Sequence, residues 1–210
     1  MVQERIVVGV AGGSASGKTT LVSHLAKAFE GRIAVLHHDD YYRDLSHLPF
    51  EARAATDFER LEAIETELML EHLTALRRGE AVQTPVYDFA THTRLPVGKP
   101  LSSGPVIIVD GLMVLAEPLL NDAFDLRVFV DIDDDTRFIR RLTRDMTERG
   151  RTLESVVRQY ESSVKPFQDT QVAASKRKAD LIVPSADFER LSQRLARLVA
   201  GLMGNEIGND

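Results

Sequence analysis

Residues 6–19 read IVVGVAGGSASGKT, and this stretch decides the fold. The β-branched run Ile6–Val10 is typical of a buried strand. From Gly12 to Thr19 the sequence fits the pattern G-x-x-x-x-G-K-[ST], and residues 18–30 continue with apolar side chains at helical spacing. Between such a strand and helix, small residues let backbone N–H groups surround phosphate oxygens, and the helix N-terminus adds partial positive charge. The stretch therefore predicts a phosphate-binding loop at the end of a strand.

Short apolar runs and longer amphipathic runs alternate along the rest of the chain. This alternation is typical of βαβ units, so we predict an α/β fold with a mostly parallel sheet and helices on both faces. Residues 79–105 interrupt it with four prolines and suggest a loop or hairpin excursion. No linker divides the chain, and we expect a single domain over residues 1–210. The predicted strands are 6–10, 33–36, 106–109, 128–130 and 181–183, and the predicted helices are 18–30, 60–78, 134–149, 152–164 and 187–202.

Composition narrows the class of partner. The 210 residues include 26 Lys and Arg against 32 Asp and Glu, a net charge of −6, and no cysteine. The lack of cysteine excludes disulfide scaffolds, thiol nucleophiles and Cys-ligated metal sites. A net acidic chain is a poor nucleic-acid binder, because phosphate neutralisation needs a basic surface. The longest clean apolar run, 106–109, is too short to span a bilayer. We therefore expect a cytoplasmic protein without membrane or nucleic-acid partners.

The loop predicts a site for a nucleoside triphosphate. Lys18 is suited to reach the β- and γ-phosphates, and the Thr19 hydroxyl is suited to bind Mg²⁺. A guanine-selective switch usually carries N-K-x-D, which no asparagine of this chain opens. We expect ATP as the phosphate donor, with GTP as the alternative. The predicted contacts are Gly12, Gly13, Ser14, Ala15, Ser16, Gly17, Lys18, Thr19 and Thr20.

Carboxylates follow two predicted strands, at the strand ends where ligands gather in open parallel sheets. Asp39 and Asp40 come soon after strand 33–36. Asp39 is suited to accept a hydroxyl proton or to serve Mg²⁺, but aspartates after a strand also cap turns, and both readings stay open. Strand 106–109 runs into Asp110, an arrangement typical of the second nucleotide-binding element of such proteins. Asp110 is therefore a predicted Mg²⁺ residue.

Six arginines lie between residues 137 and 151. The spacing predicts that four of them share one face of a helix. Such a stripe is often only a solvated face, but arginines next to a triphosphate can stabilise the transferring phosphoryl group. We interpret the segment as a lid over the triphosphate. The predicted arginine face is Arg137, Arg140, Arg141 and Arg144, and the predicted apolar side is Phe138, Leu142 and Met146.

Together these motifs resemble the uridine kinases, the uridine/cytidine kinases of the P-loop kinase class, over roughly residues 5–200. The most specific parts are PVYDF at 85–89, followed by His92, and RDMTERGR at 144–151. The resemblance implies ATP- and Mg²⁺-dependent transfer of the γ-phosphate to the 5′-hydroxyl of uridine or cytidine, which gives UMP or CMP. It also implies a nucleoside-covering hairpin over 84–103, a lid over 134–152 and a homo-oligomer.

The resemblance further implies roles for individual residues. Asp39 is the general base, acting with Lys18 at the phosphates, and Asp110 replaces the glutamate usual in this family. The implied metal residues are Thr19, Asp39 and Asp110. The implied nucleoside contacts are Tyr42, Phe58, Glu59, Tyr87, Phe89, His92, Arg141 and Gln159. The implied phosphate contacts in the lid are Arg144, Arg149 and Arg151.

One segment departs from the pattern of these kinases. Their ribose-binding stretch has Asp-His-Pro where this chain has Glu59-Arg60-Leu61. The added methylene of Glu59 displaces the carboxylate, and loss of the proline allows the helix near residue 60 to begin earlier. The departure leaves two alternatives: a kinase of the same class acting on a sugar phosphate, pantothenate or glycerate, and a nucleotide-binding module without acceptor activity.

Overall fold

The computed structural model describes residues 5–58, 60–184 and 188–204. The strands are β1 (Ile6–Gly12), β2 (Ile33–His37), β3 (Val82–Thr84), β4 (Tyr87–Asp88), β5 (Thr93–Arg94), β6 (Lys99–Leu101), β7 (Val106–Asp110), β8 (Leu126–Asp131) and β9 (Leu181–Pro184). The α-helices are α1 (Lys18–Ala28), α2 (Phe50–Ala54), α3 (Thr66–Arg78), α4 (Pro118–Asn121), α5 (Asp134–Thr147), α6 (Leu153–Gln159), α7 (Lys165–Phe167), α8 (Ala173–Ser175) and α9 (Phe188–Leu202).

A five-stranded parallel sheet in the order β2-β7-β1-β8-β9 forms the centre of the fold. β1 lies between β7 and β8, and all seven of its residues are buried. Its register pairs Val10 with Asp110 of β7 and Gly12 with Val130 of β8. The carboxyl ends of these strands therefore meet at one edge, which we call the crest of the sheet. The predicted α/β fold with a parallel sheet is confirmed.

Helices cover both faces of the sheet. On one face α3 packs Met69, Leu73 and Leu76 against a core that includes Val7 and Ile107. On the other face α1 and α9 pack against the alternate residues of the same strands. The side chains that α1 and α9 contribute there are Leu21, Val22, Leu25, Leu195, Ala196, Val199 and Ala200. Because successive strand residues point to opposite faces, a strand buried on both sides needs an unbroken apolar run, as β1 and β7 have.

The helix predicted over 60–78 begins six residues late, at Thr66. Ile64 is extended and forms a bridge with Tyr42, and the N–H of Glu65 donates to the carbonyl of Tyr41 at 2.9 Å. This pairing with the segment after β2 holds residues 64 and 65 out of helical geometry, so tertiary contact overrides helix propensity. The expectation of an earlier start was therefore wrong.

The proline-containing excursion forms two short antiparallel pairs, β3 with β6 and β4 with β5. The turn between β4 and β5 is closed by Asp88, whose carboxylate accepts from the N–H of Ala90 at 2.9 Å and from the hydroxyl of Thr91 at 2.7 Å. His92 follows with a φ of 54°. A positive φ is uncommon for a side chain other than glycine and is enriched at functional sites.

Helix α5 turns charged rather than apolar side chains inward. Its buried residues are Arg137, Arg141 and Asp145. The predicted apolar side is therefore wrong: Met146 is exposed, and Phe138 and Leu142 are only partly buried. Arg140 is exposed as well and does not share the inward face. Buried charges must be paired to be tolerated, so this helix depends on its polar partners.

The helix predicted over 152–164 extends much further. It begins with α6 and continues through π-helical turns at Tyr160–Val164 and Gln168–Val172 to a 3₁₀ turn at Lys176–Lys178. Pro166 lies within it, where the wider turns relieve the loss of a backbone donor. We call residues 153–178 the long helical segment. Neither this segment nor any other helix of the described residues is both long and apolar enough to cross a membrane.

We expect Gly9→Ala to lower the free energy of unfolding by about 1–3 kcal/mol, because the added Cβ would lie 2.7 Å from the ring of buried Phe124 and would overpack the core. Gly201→Ala is the matched control. That position lies in α9 with no atom within 4 Å of an added Cβ, and we expect stabilisation by about 0.5–1 kcal/mol. Urea unfolding of both variants measures the difference. Equal stability of Gly9→Ala and the natural chain would contradict the packing described here.

Candidate functional site

The loop between β1 and α1 curls around its own lysine. Gly12 has a φ of 151°, and a Cβ there would lie 2.6 Å from the carbonyl oxygen of Val130, so no other residue fits. The Lys18 ammonium donates to the carbonyl oxygens of Gly12 at 2.9 Å and Gly13 at 3.1 Å. Burial lowers the pKa of Lys18, and the negative charges of Asp110 and Asp39 partly oppose this shift. The loop thus collects a cation, free backbone donors and a helix N-terminus.

Two carboxylates flank this lysine at the crest of the sheet. Asp110 ends β7 and is paired in register with both Val10 and His37. Its Oδ2 lies 3.5 Å from Nδ1 of His37, whereas its Oδ1 is buried without a hydrogen-bond partner among the described residues. Asp39 follows β2 in the 3₁₀ turn His38–Tyr41. Its surroundings remove water and raise the pKa of its carboxyl, and the Lys18 charge partly reverses that shift.

The donor set at the crest suits a hard cation shared with phosphate. The partnerless oxygen of Asp110 is an open ligand position, and the exposed side chains of Asp39 and Thr19 are accessible. In the described part of the chain, no group of three or more His, Asp and Glu side chains is arranged to hold a metal ion alone. Mg²⁺ characteristically binds one or two carboxylates together with substrate phosphates, and these residues fit that pattern.

Aromatic rings from three segments form a flat-walled pocket. Tyr42 lies 5.2 Å from Phe58 and 5.2 Å from Tyr87, measured between ring centroids. The His92 ring stacks on Phe58 at 5.2 Å with an interplanar angle of 15°, and Phe89 lies 5.3 Å from Tyr87. Burial lowers the pKa of His92, which keeps its imidazole neutral, and raises the pKa of Tyr87 to about 12. The pocket therefore presents flat apolar faces with uncharged polar edges.

Arg94 fixes this pocket to the turn that carries Asp39. Its guanidinium donates to the carbonyl oxygens of Tyr42 at 2.8 Å and Tyr41 at 3.0 Å. A third donor contacts Glu65 at 2.6 Å. The β4–β5 hairpin and the segment after β2 are thereby held together by one planar, multidentate group.

Asp145 is the centre of the arginine cluster in the lid. Its side chain is fully buried, and its Oδ1 accepts two hydrogen bonds from Arg144, at 2.9 and 2.8 Å. Nitrogen atoms of Arg149, Arg141 and Arg151 lie 3.5, 3.6 and 3.8 Å from its carboxylate oxygens. One carboxylate thus holds four arginines together, with positive charge in excess.

The same arginines reach the phosphate loop and the aromatic pocket. Arg141 donates to Ser14 Oγ at 3.2 Å and to Gln159 Oε1 at 2.9 Å. Arg151 donates to the same Gln159 oxygen. The Arg149 guanidinium carbon lies 5.7 Å from the centroid of the Phe89 ring. The lid consequently contacts both halves of the site.

Most of the residues expected from the sequence lie in this one region, but Glu59 lies outside the described residues. Arg137, which the sequence reading left without a role, is buried against the loop: a Cβ on Gly13 would lie 2.2 Å from its Nη1. Sequence reasoning also gave no role to Arg94 or Asp145. The arginines at several helical spacings around Asp145 were the available signal for its role, whereas Arg94 offered none, because its partners are distant in sequence.

Comparisons with known proteins agree on the family. The family model "Phosphoribulokinase / Uridine kinase family" matches residues 7–192. The uridine kinase of Chloroflexus aggregans is 48% identical over 180 residues, which cover 85% of this chain and 86% of that protein. The uridine kinase of Lactococcus lactis subsp. cremoris is 44% identical over 183 residues, covering 87% and 89%.

Solved structures agree on the fold. The phosphoribulokinase from Rhodobacter spheroides superposes with a TM-score of 0.64 at 14% identity, covering 89% of this chain and 74% of that chain. The D-glycerate 3-kinase from Cryptococcus neoformans gives a TM-score of 0.56 at 20% identity, covering 74% and 75%. Sequence family, sheet order and phosphate loop lead to one conclusion: the chain belongs to the phosphoribulokinase / uridine kinase family.

Proposed function

We propose that the chain is an ATP-dependent nucleoside kinase that phosphorylates the 5′-hydroxyl of uridine or cytidine to give UMP or CMP. The observation that carries the proposal is the stacked His92–Phe58 pair, in a ring-lined pocket whose Tyr42 is three residues from Asp39. Flat walls with neutral polar edges suit a pyrimidine base. The relatives named uridine kinase, at 44–48% identity, support the same acceptor.

The chain's own residues account for the steps of the transfer. Asp39 accepts the proton of the 5′-hydroxyl as its oxygen bonds to the γ-phosphorus and the bond to the β-phosphate oxygen breaks, releasing ADP. Lys18 and the lid arginines Arg144, Arg149 and Arg151 stabilise the charge on the transferring group. Arg141 and Gln159 hold the nucleoside. Positioning and charge stabilisation supply most of the catalysis in phosphoryl transfer.

Mg²⁺ fits the residues at the crest. Thr19, Asp39 and Asp110 would hold it, and the partnerless Oδ1 of Asp110 supports this assignment. When bound, the ion neutralises charge on the β- and γ-phosphates. A cytoplasmic location, a homo-oligomer and the absence of nucleic-acid partners stay predictions.

A second candidate keeps the chemistry and changes the acceptor to a sugar phosphate, glycerate or pantothenate. Fold neighbours named phosphoribulokinase and D-glycerate 3-kinase motivate it. A nucleotide-binding module without acceptor activity is the third candidate.

Acceptor-dependent ADP release tests the proposal. The purified chain is assayed with ATP and Mg²⁺ against uridine, cytidine, adenosine, ribulose 5-phosphate, glycerate and pantothenate. We expect stimulation by the pyrimidine nucleosides alone. Stimulation only by an anionic acceptor would favour the second candidate, and no stimulation by any acceptor would favour the third.

We expect Asp39→Asn to lower turnover by about 10²–10⁴-fold while ATP affinity stays nearly unchanged, because the amide cannot accept the hydroxyl proton. Asp40→Asn, which removes the neighbouring carboxylate, is the matched control and should retain turnover. Steady-state rates and calorimetric ATP binding measure the two effects. Unchanged turnover in Asp39→Asn would sink the assignment of the base.

We expect Asp145→Asn to lower turnover about 10- to 100-fold, because four arginines lose the carboxylate that fixes their geometry and displacement by about 1 Å is costly in phosphoryl transfer. Glu148→Gln removes an exposed carboxylate from the same segment and should leave turnover unchanged. Circular dichroism checks that both variants are folded. Equal turnover in the two folded variants would show that the lid does not need its buried carboxylate.

A further inference from the structure

Arg53 is a half-buried cation without a polar partner. It lies in α2, and its Nε is enclosed without a hydrogen-bond partner among the described residues. No ion pair of the described chain includes it, and its guanidinium carbon lies 5.9 Å from the centroid of the Phe50 ring. Arginine carries five donors that are normally satisfied when water is excluded. An enclosed donor without an acceptor is therefore a candidate ligand contact.

The surroundings of Arg53 belong to the aromatic pocket. The Phe50 ring is 6.2 Å from His92, which in turn stacks on Phe58. The charge of Arg53 acts on both His92 and Tyr87, and it contributes to the lowered pKa of His92. In contrast, it is not among the groups that shift the pKa of Asp39 or Lys18. Arg53 is thus at the end of the pocket that is remote from the phosphates.

The chemistry of the base identifies what such a donor can contact there. In a pyrimidine nucleoside, C4 lies across the ring from N1, the atom bonded to ribose. With the 5′-hydroxyl at Asp39, the substituent on C4 therefore points toward the remote end. Uracil carries a carbonyl oxygen at this position, which accepts hydrogen bonds, whereas cytosine carries an amino group, which donates them.

We propose that Arg53 donates to the O4 carbonyl of uracil and makes uridine the preferred acceptor over cytidine. The inference rests on the proposed nucleoside kinase function and adds a residue that decides between its two substrates. A hydrogen bond to a charged donor changes affinity by about 10- to 100-fold, and an amino group facing the guanidinium leaves donors on both sides unpaired. Arg53 thereby favours one pyrimidine and disfavours the other.

The test compares kcat/KM for uridine, cytidine and pyrimidin-2-one riboside, a nucleoside that lacks the 4-substituent. We expect the natural chain to prefer uridine to the riboside by about 10- to 100-fold. In Arg53→Met, which keeps an unbranched side chain but has no donor, that ratio should fall to about one, and the preference over cytidine should fall with it. Arg60→Met removes an exposed arginine of the same region and should keep both ratios.

The outcomes separate this inference from the function on which it rests. If the natural chain phosphorylates uridine and the riboside equally well, Arg53 does not read O4, and this measurement needs no variant. The inference is also overturned if folded Arg53→Met, checked by thermal unfolding and ATP binding, keeps the natural ratios. If no nucleoside is phosphorylated at all, the proposed function fails. If only an anionic acceptor is used and Arg53→Met abolishes its turnover, Arg53 binds that anion instead.

Discussion

The parallel pairing of β1 with β7 and β8 is the constraint on which the site depends. The register pairs Val10 with Asp110, and Asp110 is also paired with His37 at the end of β2. The phosphate loop, the buried carboxylate and the turn carrying Asp39 therefore begin at one level of the crest. A slip of one residue would turn Asp110 to the opposite face of the sheet and separate it from Lys18. The complete burial of β1 is what makes such a slip costly.

The crest could be predicted from the sequence because its information is local. A strand, a glycine-rich loop and a helix follow one another in residues 6–28, and Asp110 directly follows an apolar run. The start of α3 could not be predicted in this way, because Ile64 is held by Tyr42 from another segment. The inward face of α5 was misjudged for a related reason. The usual rule buries apolar residues, but here the partners of the buried charges lie outside the helix.

The aromatic pocket has an intermediate status. Its rings were identified by resemblance to a family, since no periodicity in the sequence brings Tyr42, Phe58 and His92 together. The structure adds the physical connection, because Arg94 joins the hairpin to the backbone of Tyr41 and Tyr42. Arg53 completes the same region from α2. Contacts between segments so distant in the chain arise only from the folded arrangement.

The sharing of Asp145 among four arginines has a consequence for nucleotide exchange. An arginine with a private carboxylate must break a buried ion pair before it can bind phosphate, and such a break costs about 3–5 kcal/mol. Around Asp145, one guanidinium can turn to the nucleotide while the others still neutralise the acid. The lid can therefore exchange partners one arginine at a time, without a large barrier when ATP arrives or ADP leaves.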